Sequence, residues 1–173
     1  MKRYLSLVLA VMVSLVFLCS CGKSKGTNDL NKYLGDYSYT DSAICMVYEP
    51  VEGEFDDTGN PYYGIQYREI KDLDGLLSSG NVIMMYFYSS MSSDTSAITA
   101  LVEDMAQNYS GRLIVVMLDA MEYKTYMDKY EIDAVPEFVL IKPGQADQVF
   151  GSLQYEYWTI SDVVSWLRNN GVT

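Results

Sequence analysis

Two spacings of apolar residues along the chain predict an α/β fold. Two continuous apolar runs, Val82–Tyr88 and Leu113–Leu118, are typical of strands that are buried on both faces of a sheet. The remaining strand candidates are shorter and lie on either side of these runs, at Ala43–Tyr48, Ile65–Ile70, Glu137–Lys142 and Gln148–Phe150.

Between the strand candidates, apolar residues recur every three or four positions, as on an amphipathic helix. These helix candidates are Lys71–Ser79, Ile98–Tyr109, Tyr123–Tyr130 and Thr159–Asn169. Gly80 and Ser110-Gly111 predict where the first two end, and Thr159-Ile160-Ser161-Asp162 has the pattern of a capping box. The predicted order from Gly64 onward is β-α-β-α-β-α-β-β-α.

The first residues have the pattern of an export leader. Met1-Lys2-Arg3 is positively charged, and Tyr4–Leu18 is an apolar run that is short for a membrane-spanning helix. Leu18-Cys19-Ser20-Cys21 then resembles a bacterial lipobox. This resemblance implies cleavage after residue 20 and a lipid on Cys21, which would anchor the chain to a membrane of the cell envelope, outside the cytoplasm. The alternative is an uncleaved signal anchor.

The expected domain organisation follows from these patterns. Residues 1–20 form the leader, and residues 21–31, rich in Gly, Ser and Lys, form a flexible tether. Residues 32–63 form a tyrosine-rich extension, expected to add a strand or hairpin to the edge of the main domain, residues 64–173. The extension contains Tyr33, Tyr37, Tyr39, Tyr48, Tyr62 and Tyr63.

Charge and composition narrow the functional classes. The 173 residues include 23 acidic and 12 basic side chains, a net charge of -11, and such a surface repels nucleic acid. The chain has no histidine, which excludes His-based acid–base catalysis and His-ligated metal sites. The acidic stretch Glu52–Asn60 ends in a predicted turn and lacks the ligand spacing of an EF-hand. We therefore expect neither a metal nor a cofactor.

Several segments of the main domain resemble thioredoxins. Val82–Tyr88 resembles the central strand of that family, and Asp128–Pro136 resembles its KYGIRGIPT stretch. Glu137–Gly144 resembles LLLFKNG, and Val149–Leu153 resembles KVGAL. The order and spacing of these segments imply a thioredoxin-like α/β fold with a central mixed sheet flanked by helices.

The resemblance also places a degenerate active site. Ser92-Ser93-Asp94-Thr95 stands where thioredoxins have Cys-Xaa-Xaa-Cys, so Ser92 replaces the attacking cysteine and Thr95 the resolving one. Tyr86 replaces a buried aspartate that assists proton transfer in many members. Dithiol exchange needs two thiols, and we therefore expect no oxidoreductase activity and no catalytic residue at this position. Ser93 and Asp94 are interpreted as caps of the following helix.

Three functions remain open. In the first, Pro136 is the cis-proline of the family, and Met91, Ser92, Val135 and Pro136 line a groove that binds an envelope or extracellular protein or peptide. In the second, Cys45, the one cysteine left after the leader and the lipid site, or a partner thiol supports redox chemistry. In the third, the tyrosine-rich extension carries the recognition surface.

Overall fold

The computed structural model describes residues 27–93, 95–151 and 158–173, which form one seven-stranded sheet with helices on both faces. The strands are β1 (Leu34–Tyr37), β2 (Ala43–Phe55), β3 (Pro61–Ile70), β4 (Ile83–Tyr88), β5 (Ile114–Asp119), β6 (Glu137–Ile141) and β7 (Gln148–Gly151). The helices are α1 (Leu73–Leu77), α2 (Thr95–Asn108), α3 (Lys124–Lys129) and α4 (Ile160–Asn169), preceded by a 3₁₀ helix over Thr27–Lys32. The predicted order of strands and helices from residue 64 onward is confirmed.

The sheet is mixed, in the order β1-β3-β2-β5-β4-β6-β7. β4 and β5 run parallel, and every other neighbouring pair is antiparallel. The position of β4 and β5 inside the sheet fits their apolar sequences, because all six side chains of β4 and five of the six in β5 are buried. The residues that follow β4 therefore start from a strand that is fully buried in the interior of the sheet.

Two cores lie on opposite faces of the sheet. One face packs against α2 and α4 through Val102, Met105, Val163 and Leu167. The other face packs against α1 and α3, and it holds Cys45, whose side chain is 0% exposed. Among the described residues no helix has both the length and the apolar character needed to cross a membrane.

The tyrosine-rich extension supplies β1 and β2, and its predicted place at the edge of the sheet is confirmed for β1 but not for β2. β2 lies inside the sheet, where Ala43 pairs with Leu118 and Met46 pairs with Val115 of β5. The reason is the buried apolar run Ala43–Val47, which suits a strand covered on both faces. β1 is the edge strand that the extension was expected to add, and the proposed division between residues 63 and 64 falls within β3.

The second half of β2 extends beyond β5 and forms a hairpin arm with β3, residues 48–64. β2 pairs with β5 as far as Met46, whereas its pairing with β3 continues to Pro50 and resumes at Phe55. The predicted turn closes this arm: one carboxylate oxygen of Asp56 accepts from the backbone of Thr58 at 2.8 Å and of Asn60 at 2.9 Å. Hydrogen bonds from Thr58 and Asn60 lower the pKa of Asp56 to about 2.

Candidate functional site

The candidate site lies where β4 ends and α2 begins. β6 runs antiparallel to β4, with Phe87 opposite Glu137, so the residues just before β6 lie beside the end of β4. The Val135–Pro136 peptide bond in that loop is cis, as the family resemblance implies. The sheet register thus brings together two segments that are more than forty residues apart in the chain.

The loop from β4 to α2 is organised around Ser89. Its carbonyl oxygen accepts from the amide of Ser92 at 3.1 Å and from the hydroxyl of Thr95 at 2.6 Å, and its own hydroxyl accepts from the amide of Met91 at 3.3 Å. These three bonds fold the chain back on itself just before the helix. The hydroxyl of Thr95 is consequently used to hold the loop.

A cavity of about 120 Å³ lies between this loop and the cis-proline loop. We call its lining the cis-proline site, which consists of Tyr86, Tyr88, Ser89, Ser92, Thr95, Ile98, Val135 and Pro136. The structure therefore brings together five of the residues singled out from the sequence, namely Tyr86, Ser92, Thr95, Val135 and Pro136. The site combines apolar walls with hydroxyl groups and contains no thiol.

Tyr86 belongs to both the cis-proline site and the core. Its side chain is 0% exposed, and its ring stacks on Phe138 at 5.3 Å between centroids. Neither its hydroxyl nor the buried hydroxyl of Thr99 has a hydrogen bond of standard geometry among the described residues. Burial raises the pKa of Tyr86, and the neighbouring Thr99 hydroxyl opposes this in part. Tyr86 is thus a neutral hydroxyl where the family resemblance would place an acid.

The other predicted site residues lie outside the cavity. Met91 does not line it, but its side chain is 83% exposed beside Ser92 and is free to contact a bound molecule. Ser93 does not line it either. Asp94, predicted as a helix cap, lies outside the described residues, as does Cys21, the predicted lipidation site.

Four residues near the site were not predicted as part of it. Tyr88 and Ser89 end β4 and precede the degenerate motif directly, so strand position is the signal that could have found them. Ile98 lies one helical turn after Thr95, on the same face of α2. Glu137 follows Pro136 and is a buried carboxylate, 1% exposed, which the strand pattern alone did not mark.

Cys45 lies apart from the cis-proline site. It is a free cysteine in β2, opposite Arg68 of β3 and Val116 of β5, and it does not line the cavity. Burial raises the pKa of its thiol to about 12. The thiolate that redox chemistry needs is therefore strongly disfavoured in the folded protein.

The described residues contain no group of three or more His, Cys, Asp or Glu side chains placed to hold a metal ion. The acidic stretch instead satisfies its own backbone through the Asp56 turn. The cis-proline site can therefore bind a molecule through its shape, through apolar contact and through hydrogen bonds from neutral groups.

The sequence of this chain is similar to those of known thioredoxins. The thioredoxin family model matches residues 70–159. A thioredoxin of Staphylococcus aureus is 30% identical over 81 residues, which covers 46% of this chain and 77% of that protein. Thioredoxin-T of Drosophila melanogaster is 23% identical over 88 residues, covering 51% of this chain and 56% of that protein. The chain thus spans only about half the length of the fly relative.

Solved structures show the same similarity. A thioredoxin mutant from Halobacterium salinarum has 22% sequence identity and a TM-score of 0.46, covering 59% of this chain and 84% of the other. Mitochondrial thioredoxin 3 from Saccharomyces cerevisiae has 18% identity and a TM-score of 0.45, with coverages of 55% and 84%.

Proposed function

The chain belongs to the thioredoxin family, and we propose that within this family it is a redox-inactive binding module anchored to the bacterial cell envelope. The observation that carries the proposal is the cis-proline site itself. Its two loops meet and enclose a cavity, yet the groups at the two positions of the degenerate motif are the hydroxyls of Ser92 and Thr95. On this proposal the site keeps the position of a thioredoxin active site, but the groups at the two motif positions are neutral hydroxyls.

The available thiols support this interpretation. The chain has three cysteines, at positions 19, 21 and 45. Exchange of a disulfide requires an attacking thiolate and a second thiol that resolves the mixed disulfide. Cys45 is buried away from the cavity, and the other two belong to the leader and its lipobox. A redox function through Cys45 would require the strand β2 to open, which makes it the less favoured alternative.

The surface beside the cavity suits an extended polypeptide. Met91 supplies an exposed, flexible apolar side chain, and Met adapts its shape to different partners. Val135 and Pro136 line the opposite wall and are half-buried. A peptide lying across the two loops would place one small apolar or hydroxyl side chain in the cavity. Such binding requires no thiol.

Anchoring rests on the sequence of the leader. The lipobox-like Leu18-Cys19-Ser20-Cys21 and the tether that follows would hold the domain on the outer side of the cytoplasmic membrane, within reach of envelope and extracellular proteins. The proposed partner is therefore a protein or peptide of the envelope or the medium.

In-cell photo-crosslinking of the full chain tests the proposal. A photoreactive amino acid is placed at position 91, and position 124 serves as the control, because Lys124 is equally exposed at the start of α3. We expect one discrete adduct from position 91 and none from position 124. An adduct of similar intensity from both positions, or from neither in a folded protein, would contradict the use of this groove.

A double variant tests whether changing this surface abolishes the binding of the partner. Met91→Asp with Val135→Asp places two charges at the proposed contact, where Met91 is largely exposed and Val135 is half-buried against the core, so circular dichroism is used to check that the variant is folded. We expect the adduct, now probed from position 92, to disappear, with Lys124→Asp as the matched control that keeps it.

Cys21→Ser in the same cells should release the protein from the membrane fraction, which tests the anchor separately.

A further inference from the structure

A second surface stands out at the tyrosine-rich extension. Among the described residues, eight large apolar or aromatic side chains are exposed, and five of these are aromatic residues between positions 37 and 63: Tyr37, Tyr39, Phe55, Tyr62 and Tyr63. Exposed aromatic groups concentrated in one segment are typical of interaction surfaces. In the sheet order, β5 separates β2 of this segment from β4, which leads to the cis-proline site.

Three of these tyrosines line a groove between the hairpin arm and helix α2. The groove is open and has a volume of about 490 Å³. Tyr39, Tyr62 and Tyr63 contribute from the extension, together with Glu54. Glu103 and Asp104 contribute from α2 on the other side. The result is a groove with aromatic and acidic walls.

The negative charge of this groove is not compensated within the described part of the chain. Glu54, Glu103 and Asp104 have no ion pair with Lys or Arg there. Glu103 accepts a hydrogen bond from the hydroxyl of Tyr67, which is a neutral donor. Partial burial and the neighbouring charge of Asp104 raise the pKa of Glu103. A positive charge placed in the groove would relieve this repulsion.

We propose that this groove binds a cationic segment of a partner polypeptide, with Lys or Arg side chains against the tyrosine rings and their charged groups toward the carboxylates. Cations are attracted to the faces of aromatic rings, and carboxylates add charge complementarity. The protein itself shows that its tyrosines make such contacts: the Lys129 ammonium lies 4.6 Å from the centre of the Tyr130 ring, and the Arg68 guanidinium lies 5.9 Å from that of Tyr37.

The composition of the groove favours a cationic peptide over a neutral carbohydrate. A sugar ring could also stack on Tyr39 or Tyr62, but it would leave the three carboxylates without a positive partner. The site is independent of the cis-proline site, so it extends the proposed function and does not rest on it. Together the two surfaces would allow one molecule to contact a partner at two places.

Fluorescence anisotropy with the full chain in neutral detergent tests the proposal. The probe is a labelled peptide of alternating lysine and glycine, and its counterparts are the same peptide with glutamate for lysine and a labelled chitotetraose. We expect the lysine peptide to bind, and its affinity to fall as the salt concentration is raised. The glutamate peptide and chitotetraose should not bind. Binding of chitotetraose without the lysine peptide would overturn the proposal in favour of a carbohydrate.

Matched variants locate the binding. Glu54→Gln and Tyr62→Ala should each weaken binding of the lysine peptide roughly three- to tenfold, as expected for the loss of a charge pair or a cation–aromatic contact. Glu52→Gln and Tyr37→Ala are the controls, because both side chains are exposed on the same extension and neither lines the groove. Equal weakening by the control variants would show binding to the overall negative charge and would overturn the assignment to this groove.

Discussion

The cis-proline site and the hairpin arm represent two different ways in which this fold presents a surface. Tyr86 and Phe138 beneath the cis-proline site are 0% exposed, and they fix its shape from within the core. Phe55 at the tip of the arm is 66% exposed and contributes surface without supporting the core. Large side chains thus determine the geometry of a site in one region, and in the other they are themselves available for binding.

The largest expected difference between the two regions is in stability. Phe138→Ala removes a ring that contacts Tyr86, Phe150 and Trp158, and we expect it to lower the free energy of unfolding by about 3–5 kcal/mol. Phe55→Ala should change it by less than about 0.5 kcal/mol, because the side chain is largely in water already. Chemical denaturation of both variants measures the two values. Similar losses would show that the arm is part of the folding core.

Much of the fold was predictable because it depends on patterns that a sequence displays directly. The apolar run over Val82–Tyr88 is long and unbroken, and it gave the central strand β4 to within one residue. The degenerate motif follows that strand, and Pro136 precedes β6, so the meeting of the two loops follows from the resemblance. Tyr88 and Ile98 were missed at the site because their role depends on which face of the strand and the helix points to the cavity.

The position of the hairpin was harder to predict. A short apolar run such as Ala43–Tyr48 predicts a strand, but no pattern within it specifies which neighbour it pairs with. The insertion of β2 between β3 and β5 depends on pairings such as Ile44 with Met117, which are distant in sequence. The groove beside α2 could not be predicted for the same reason, since its two walls are about forty residues apart in the chain.

Thiol reactivity should differ strongly between buried and exposed positions of this protein. The buried Cys45, with its pKa raised to about 12, should react with iodoacetamide at least about 100-fold more slowly than a cysteine introduced by Ser92→Cys at the exposed loop. Mass spectrometry of the two peptides that contain Cys45 and position 92 measures both rates in one molecule. Comparable rates would restore the redox function through Cys45.

The sign of the pH effect on Cys45 follows from its raised pKa. In the unfolded chain the thiol ionises around its ordinary value of 9.0, whereas in the folded protein it stays protonated up to about 12. The unfolded state is therefore favoured increasingly as the pH rises from 9.0 towards 12. In the Cys45→Ala variant, the free energy of unfolding should fall less steeply with pH over this range. An unchanged slope would show that other groups cause the loss of stability.

The smallest expected effect concerns the turn of the hairpin arm. The pKa of Asp56 is lowered from 3.8 to about 2 by hydrogen bonds from Thr58 and Asn60. A lowered pKa means that the turn is supported above pH 3.8 and loses this support as the pH falls through about 2. The amide signals of Thr58 and Asn60 in an NMR titration should shift with that low midpoint. Asp56→Asn should abolish the shift, and a midpoint at the ordinary value would mean that the turn is open in solution.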